Sequence, residues 1–420
     1  MKPKLLTTLK GYTLPELRAD ALAGVTVALV AIPLSLAIAI ASGASPAAGL
    51  ITAIVGGFLI SLLGGSRVQI GGPTGAFIVV VYGVVAAHGY AGLVLATLMA
   101  GVILVLAGLL RAGTLIEYVP DPVINGFTIG IAVIIGSSQL KDFLGLSLAA
   151  VPADFLPKVA ALWEARNTVN LVAFAAGLVS LVLIIALRRM YPRLPGLIVV
   201  MALVSAVAAA LHLPVDSIGS RYGALPSHLP LPAIPPITAA LLVQLLPSAL
   251  VIAFLAAIES LLSAMVADRL IEGSHRPNAE VIAQGVANIG SALFGGLPAT
   301  GAIARTATNV RAGGKTPVAG LVHALAILLV MLIAAPLAGY LAMPAIAALL
   351  LTTAWNMSEP HKWPEYWRAP LADRVMLGTT LILTVLADLT IAIGVGVALG
   401  FIVRFAEGRL RPAAWSAPEH

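Results

Sequence analysis

The sequence predicts an all-α membrane protein. It has about fourteen spanning segments in two inverted repeats of seven, with two half-helices meeting at mid-membrane. Three observations carry this prediction. Of 420 residues, 60% are hydrophobic and only 10% charged, and the mean hydropathy is +1.03; a soluble domain carries roughly 25% charged residues. Apolar runs long enough to cross a bilayer recur to the end of the chain. A Gly-Gly, Pro, Thr-Gly-Ala motif occurs twice, seven spans apart.

A bilayer core takes about 20 apolar residues per helix. The first seven candidate spans lie near 21–43, 47–64, 72–88, 91–110, 122–139, 168–188 and 195–212. The second seven lie near 238–267, 279–295, 301–312, 317–337, 342–355, 374–387 and 389–406. A segment over 1–20 precedes them, with Lys2, Lys4, Lys10 and Arg18. The Pro-rich linker His212–Pro236 divides the first repeat (21–212) from the second (238–407), so 213–237 lies outside. A tail over 408–420 follows. With a cytoplasmic N-terminus, nineteen of the 24 basic residues fall inside. Only Lys141, Lys158, Arg166 and Arg221 fall outside, and Arg305 lies within a span. That asymmetry fits fourteen crossings with both termini cytoplasmic. It also accounts for the isoelectric point near 9.7 without a nucleic-acid partner. Cysteine is absent, which excludes disulfides and thiolate metal sites.

Spans 3 and 10 are short and interrupted. Span 3 opens with GGPTGAF (Gly71–Phe77) and span 10 with GGLPATGAI (Gly295–Ile303). Matching Gly75 to Gly301 gives an offset of 226, which also carries Pro33 of span 1 onto Glu259 of span 8. Non-helical backbone cannot face lipid, so such segments line a cavity inside the protein. The stretches before them, Arg67-Val68-Gln69-Ile70 and Leu297-Pro298-Ala299, are expected to run extended. Each half-helix then points free N–H groups and a partial positive charge at the membrane centre. Thr74 and Thr300 add hydroxyls, Gly75 and Gly301 allow close backbone approach, and Arg305 adds a full charge one turn on. The combination suits an anion. The candidate substrate-binding residues of these two segments are Thr74, Gly75, Ala76 and Phe77, with Thr300, Gly301, Ala302, Ile303, Ala304 and Arg305.

Glu259 follows two apolar turns in VIAFLAAIESLLSAMVAD. A carboxylate at this depth costs several kcal/mol unless protonated or paired. It reads as a proton carrier or as the partner of Arg305. With Ser263 one turn on, on the same face, it would also offer oxygens to sodium. His323 in span 11 reads as hydrogen-bonded packing, and Glu117, Asp121 and Asp388 as caps or anchors at membrane edges. No phosphate loop, His-Glu-x-x-His or Gly-x-Ser-x-Gly motif is present, so the sequence offers no cofactor site, metal site or enzyme constellation.

The chain resembles the sulfate permease (SulP) family of anion transporters, which includes prestin. The resemblance spans about residues 10–410. It rests on DALAGVTVALVAIPLSLAIAIASGASPAAGL in span 1, GGSRVQIGGPTGAF in span 3 and PATGAIARTATNVRAGGKTPVAG in span 10. It implies a core of spans 1–4 and 8–11 and a gate of spans 5–7 and 12–14. The anion would lie between half-helices 3 and 10, flanked by spans 1 and 8, so Pro33 and Leu34 join the candidate substrate-binding residues. Thr74 matches a position lining the site, Arg305 a basic position of prestin-like members, and Glu259 an acidic position tied to cation coupling or charge balance. Two departures stand out. Leu34 replaces a glutamine common in the family, which favours an organic anion. The chain also ends at His420 without the regulatory STAS domain that most members carry.

The reading is therefore a secondary active anion transporter, proton-coupled, moving core against gate. Its substrate is a small anion such as sulfate, a fumarate-like dicarboxylate or bicarbonate. The alternatives are a passive anion channel on this fold, or a sodium-coupled anion or nucleobase transporter. The expected setting is a homodimer among lipids of a bacterial-type inner membrane.

Overall fold

The computed structural model describes residues 2–113, 120–148, 151–191, 195–387 and, between 391 and 400, all but 393 and 397. Glu117, Arg193, Asp388, Arg404, Arg409 and Arg411 lie outside the described residues, as do most of span 14 and the tail.

The molecule is an all-α bundle of two inverted repeats. Seven helical stretches are each long and apolar enough to cross a membrane among the described residues. One of them is broken at Gly89, where φ is 68°, and so supplies both spans 3 and 4. Shorter helices such as Gly196–Ala210, Pro277–Leu293 and Met343–Met357 stand where spans 7, 9 and 12 are expected.

Boundaries follow local chemistry. Span 1 begins at Leu14, seven residues before the apolar run, because Thr13 and Glu16 form a capping box and the helix has proline in its first turn. Span 5 continues to Leu144, beyond the expected 139, and stops at Gly145 in the left-handed region (φ 62°) with Lys141 in its last turn. The loops carry short helices that the apolar pattern does not announce: Phe155–Glu164, Ile218–Tyr222 and Trp363–Arg368.

Spans 1–4 and 8–11 pack on one another as a core. Small residues let their backbones meet. A Cβ on Gly24 of span 1 would lie 2.4 Å from the Ala319 carbonyl of span 11. Gly101 of span 4 and Gly285 of span 9 face each other in the same way, each 2.7 Å from the other's carbonyl. Spans 5 and 13 are joined through Gly126 and Gly130, which abut Leu377 and Thr384, within the gate.

Two acids are fully buried in the core, in addition to the half-buried Glu259. Asp20, at the start of span 1, accepts from the Thr316 hydroxyl and from the backbone N–H of Lys315 at 2.6 Å, tying the loop after span 10 to span 1. Glu280, in the first turn of span 9, accepts from the N–H groups of Gly65 and Ser66, from Ser260 of span 8 and from Gln284. It therefore clamps the turn that sends the chain from span 2 back toward the membrane centre. Breaking a buried network of this kind costs about 3 kcal/mol. Glu280→Ala should lower the melting temperature in detergent by several degrees, and Glu280→Gln by less. An unchanged melting temperature for Glu280→Ala would show that the clamp contributes nothing.

Candidate functional site

Two extended segments cross at the centre of the core. β1 (Gly71–Gly72) pairs antiparallel with β2 (Thr300–Gly301), with Gly71 opposite Gly301 and Gly72 opposite Thr300. The ladder extends by one bond, from the Ala302 N–H to the Ile70 carbonyl at 2.8 Å. The expected extended stretches thus form their ladder a few residues later than 67–70 and 297–299, because tertiary pairing sets the register. The two motifs also play unequal parts. Gly75 opens the first half-helix, which continues as Ile78–Leu109, whereas its sequence match Gly301 lies in β2. The second half-helix starts later, at Ile303, and runs to Arg311.

Side chains from the surrounding helices satisfy the rest of this irregular backbone. Asn288 bonds both the N–H and the carbonyl of Ala299. Thr52 accepts from the Leu297 N–H at 2.6 Å, Thr306 accepts from the Ile70 N–H, and Asn309 donates to the Val68 carbonyl. Gln69 donates to Ser260, and its side chain fills the space beside the Gly301 Cα. The Thr300 hydroxyl is committed to the Ala256 carbonyl of span 8 at 2.9 Å.

The half-helices leave the ladder in opposite directions, and no side chain caps either one. The N–H groups of Gly75 and Ala76, and of Ile303, Ala304 and Arg305, have no acceptor among the described residues. They form two donor clusters of partial positive charge. Thr74, Gly75 and Ile303 are half-buried and Ala304 is exposed, while Ala76, Phe77 and Ala302 are buried.

Arg305 is only 2% exposed. Its guanidinium folds back over β1, and Nη2 donates to Ser35 Oγ of span 1 at 3.2 Å. Its Nε and Nη1 have no hydrogen-bond partner, and no carboxylate pairs with it among the described residues. Gly72 makes this position accessible: a Cβ there would lie 2.3 Å from Arg305 Nη1. Gly72 and Ser35 are absent from the sequence-derived set. Their signal was the doubled glycine of GGPTGAF and a serine two residues after Pro33, but only the fold brings them to residue 305.

Glu259 is half-buried and accepts from the Thr74 hydroxyl at 2.6 Å. It is not in an ion pair with Arg305. Ser263 turns its hydroxyl to Thr306 at 3.1 Å. Pro33 is buried within span 1 and Leu34 is half-buried beside it. His323 is fully buried, yet neither ring nitrogen has a hydrogen-bond partner among the described residues, in contrast to the expected hydrogen-bonded packing. The structure thus brings spans 1, 3, 8 and 10 together, with the guanidinium of Arg305 held by Ser35 and the carboxyl of Glu259 held by Thr74.

The sulfate permease family matches residues 17–380. The chain is 44% identical over 395 residues to a protein of Bacillus subtilis (strain 168) named "Putative sulfate transporter YvdB", covering 94% of this chain and 74% of that one. It is 32% identical over 399 residues to the bicarbonate transporter BicA of Picosynechococcus sp., covering 91% and 69%. Among solved structures, it is similar to the transmembrane domain of a cyanobacterium bicarbonate transporter BicA. There the TM-score is 0.82 at 32% identity, covering 91% of this chain and 98% of that one. The overall structure of SLC26A9 shares the fold at a TM-score of 0.88 and 18% identity, covering 97% and 68%. With its two crossed half-helices and its match over most of its length, the chain belongs to the sulfate permease family of anion transporters and is not an enzyme.

Proposed function

We propose that the chain is a proton-coupled anion symporter working by movement of core against gate, with the anion held at the crossing of spans 3 and 10. One observation carries this reading: Arg305 is a buried cation with two unpartnered nitrogens and no counter-ion among the described residues. An uncompensated charge in such a place costs several kcal/mol. A small anion that bridges the guanidinium and the free N–H groups of the half-helices offsets that cost. Relatives named for sulfate and for bicarbonate support a small oxyanion, and Leu34 in place of the family's common glutamine supports a carboxylate such as a fumarate-like dicarboxylate. A neutral nucleobase would leave Arg305 uncompensated. The setting is a bacterial-type inner membrane, with both termini cytoplasmic, lipid around the spans and a homodimeric assembly.

Glu259 supplies the coupling. A proton on Glu259 and an anion beside Arg305 each reduce the net charge the other must face in a medium of low dielectric. Each therefore raises the affinity of the other by the same factor, which is the thermodynamic condition for symport. Thr74 links the two, because its hydroxyl donates to Glu259 from the residue that precedes the first half-helix.

An uptake panel in proteoliposomes, with and without an inward proton gradient, tests the reading. Absence of saturable uptake for every inorganic and carboxylate anion would overturn it. Arg305→Ala should raise the half-saturating anion concentration at least about tenfold, equivalent to ~1.4 kcal/mol, while the protein stays folded. Unchanged apparent affinity would remove Arg305 from the site. Gly72→Ala should push the guanidinium off β1 and weaken uptake in the same way. The double variant should then be no worse than Arg305→Ala alone. Losses that add would mean that Gly72 acts on something else. Glu259→Gln should still exchange anion across the membrane but lose accumulation driven by the proton gradient. Accumulation that persists in this variant would move the proton elsewhere, and accumulation that follows a sodium gradient in the wild type would make Glu259 part of a cation site.

A further inference from the structure

The charge asymmetry of the loops leaves four basic residues on the linker side: Lys141, Lys158, Arg166 and Arg221. Three of them, all but Arg166, line a single cavity of about 1050 Å³. The cavity lies between the linker-side halves of spans 3 and 5, under the helix Phe155–Glu164. Ile78 and Val79 also line it, and they directly follow the first turn of the half-helix that starts at Gly75. The cavity therefore leads from the linker face toward the crossing.

The three cations are not equivalent. Arg221 is committed, bonding Asp142 and Asp216, each at 2.8 Å. Lys141 is half-buried and has no ion pair among the described residues. Lys158 is 3% exposed, and its ammonium has neither an ion pair nor a hydrogen bond among the described residues. Burial holds it below the usual lysine range, and the attraction of Asp154 only opposes this. Asp154, at the cap of the same helix, also lines the cavity, but it is exposed to solvent and its field is screened there. A lysine stem buried in this way ordinarily delivers its ammonium to bulk water. Here the ammonium is delivered to the cavity.

We propose that Lys158, assisted by Lys141, makes this cavity an outer anion-binding vestibule that captures a small inorganic or carboxylate anion on its way to the central site. The inference rests on the transport reading given above. Two unpaired cations in a recess with low-dielectric walls focus the field and raise the local anion concentration.

The absence of cysteine makes a direct test simple. Ser138 lines the cavity and is half-buried. A Ser138→Cys variant in intact cells is treated with membrane-impermeant thiol reagents, one carrying a sulfonate and one a quaternary ammonium. The ratio of anionic to cationic reaction rates should fall roughly fivefold when Lys158→Gln is added, the order set by one charge within about 8 Å across water. Lys158→Arg should preserve the ratio, and inorganic sulfate or bicarbonate in the bath should slow the reaction only where the charge at 158 is kept. The same pattern is expected with Arg305→Ala, so the outcome does not depend on transport. Failure of the uptake panel would sink the transport reading and leave the vestibule standing as a binding site. In uptake, Lys158→Gln should raise the half-saturating external anion concentration about threefold at unchanged maximal rate. A ratio that ignores Lys158, a reaction that occurs only in inside-out vesicles, or an unchanged external half-saturation would each overturn the proposal.

Discussion

Peptide groups cannot remain unpaired away from water, and the architecture of the core follows from that constraint. Two chain segments abandon the helix at mid-membrane, and each satisfies the other through the ladder of Gly71–Gly72 with Thr300–Gly301. What the ladder leaves unpaired is taken by polar side chains in otherwise apolar helices. Thr52, Asn288, Thr306 and Asn309 all spend their hydrogen bonds on the backbone of 68–70 or 297–299. Glu280 does the same one turn earlier, for Gly65 and Ser66. Such residues would weaken a spanning helix packed only against lipid. Here they are the condition for having a site at all, because only a broken helix can aim its N-terminal N–H groups at the membrane centre.

The charges are arranged by a second constraint. Arg305 and Glu259 share one small region but do not pair; Ser35 holds one and Thr74 the other. Had they formed an ion pair, their fields would cancel and an anion would meet a neutral site. Held apart, they leave a positive pole beside β1 and a separate group able to carry a proton. Gly72 is what makes the separation possible, since any side chain there would occupy the place of the guanidinium. An unpaired buried cation costs several kcal/mol, and in the proposed function an anion beside it would offset that cost.

Much of this was legible in the sequence. Composition and hydropathy set the spans, and the repeated Gly-Gly, Pro, Thr-Gly-Ala pattern set the two half-helices and their meeting. The unusual residue types within apolar runs, Glu259 and Arg305, marked the chemistry. What was not legible depends on contacts between distant segments. Ser35 and Arg305 are 270 positions apart, and no local pattern links them. The ladder register and the later start of the second half-helix are set by which carbonyl Ala302 meets, not by propensity. The sequence offset that matches Gly75 to Gly301 therefore pairs residues with different roles. Glu280 reads locally as a helix-start acid, as expected of the first turn, and only the return of Gly65 and Ser66 to it shows its second use.

Core and gate differ in chemistry, and that difference bears on how an anion would cross. The charged and hydroxyl-bearing groups of the site, Ser35, Thr74, Glu259 and Arg305, belong to core spans. The gate meets this region with apolar side chains: a Cβ on Gly75 would lie 2.9 Å from Met357 Sδ and 3.7 Å from Ile135 Cδ1. A core carrying its site past such a wall would move a charge through low dielectric unless the load is balanced. Arg305 with a monovalent anion is neutral when Glu259 carries a proton, whereas a divalent anion leaves one net negative charge even then. An empty core would carry the bare cation of Arg305 against the apolar wall, unless an ionised Glu259 brings the net charge of the core to zero. In the proposed cycle the same two side chains would hold the load and set which loaded and unloaded states are close enough to neutral to slide.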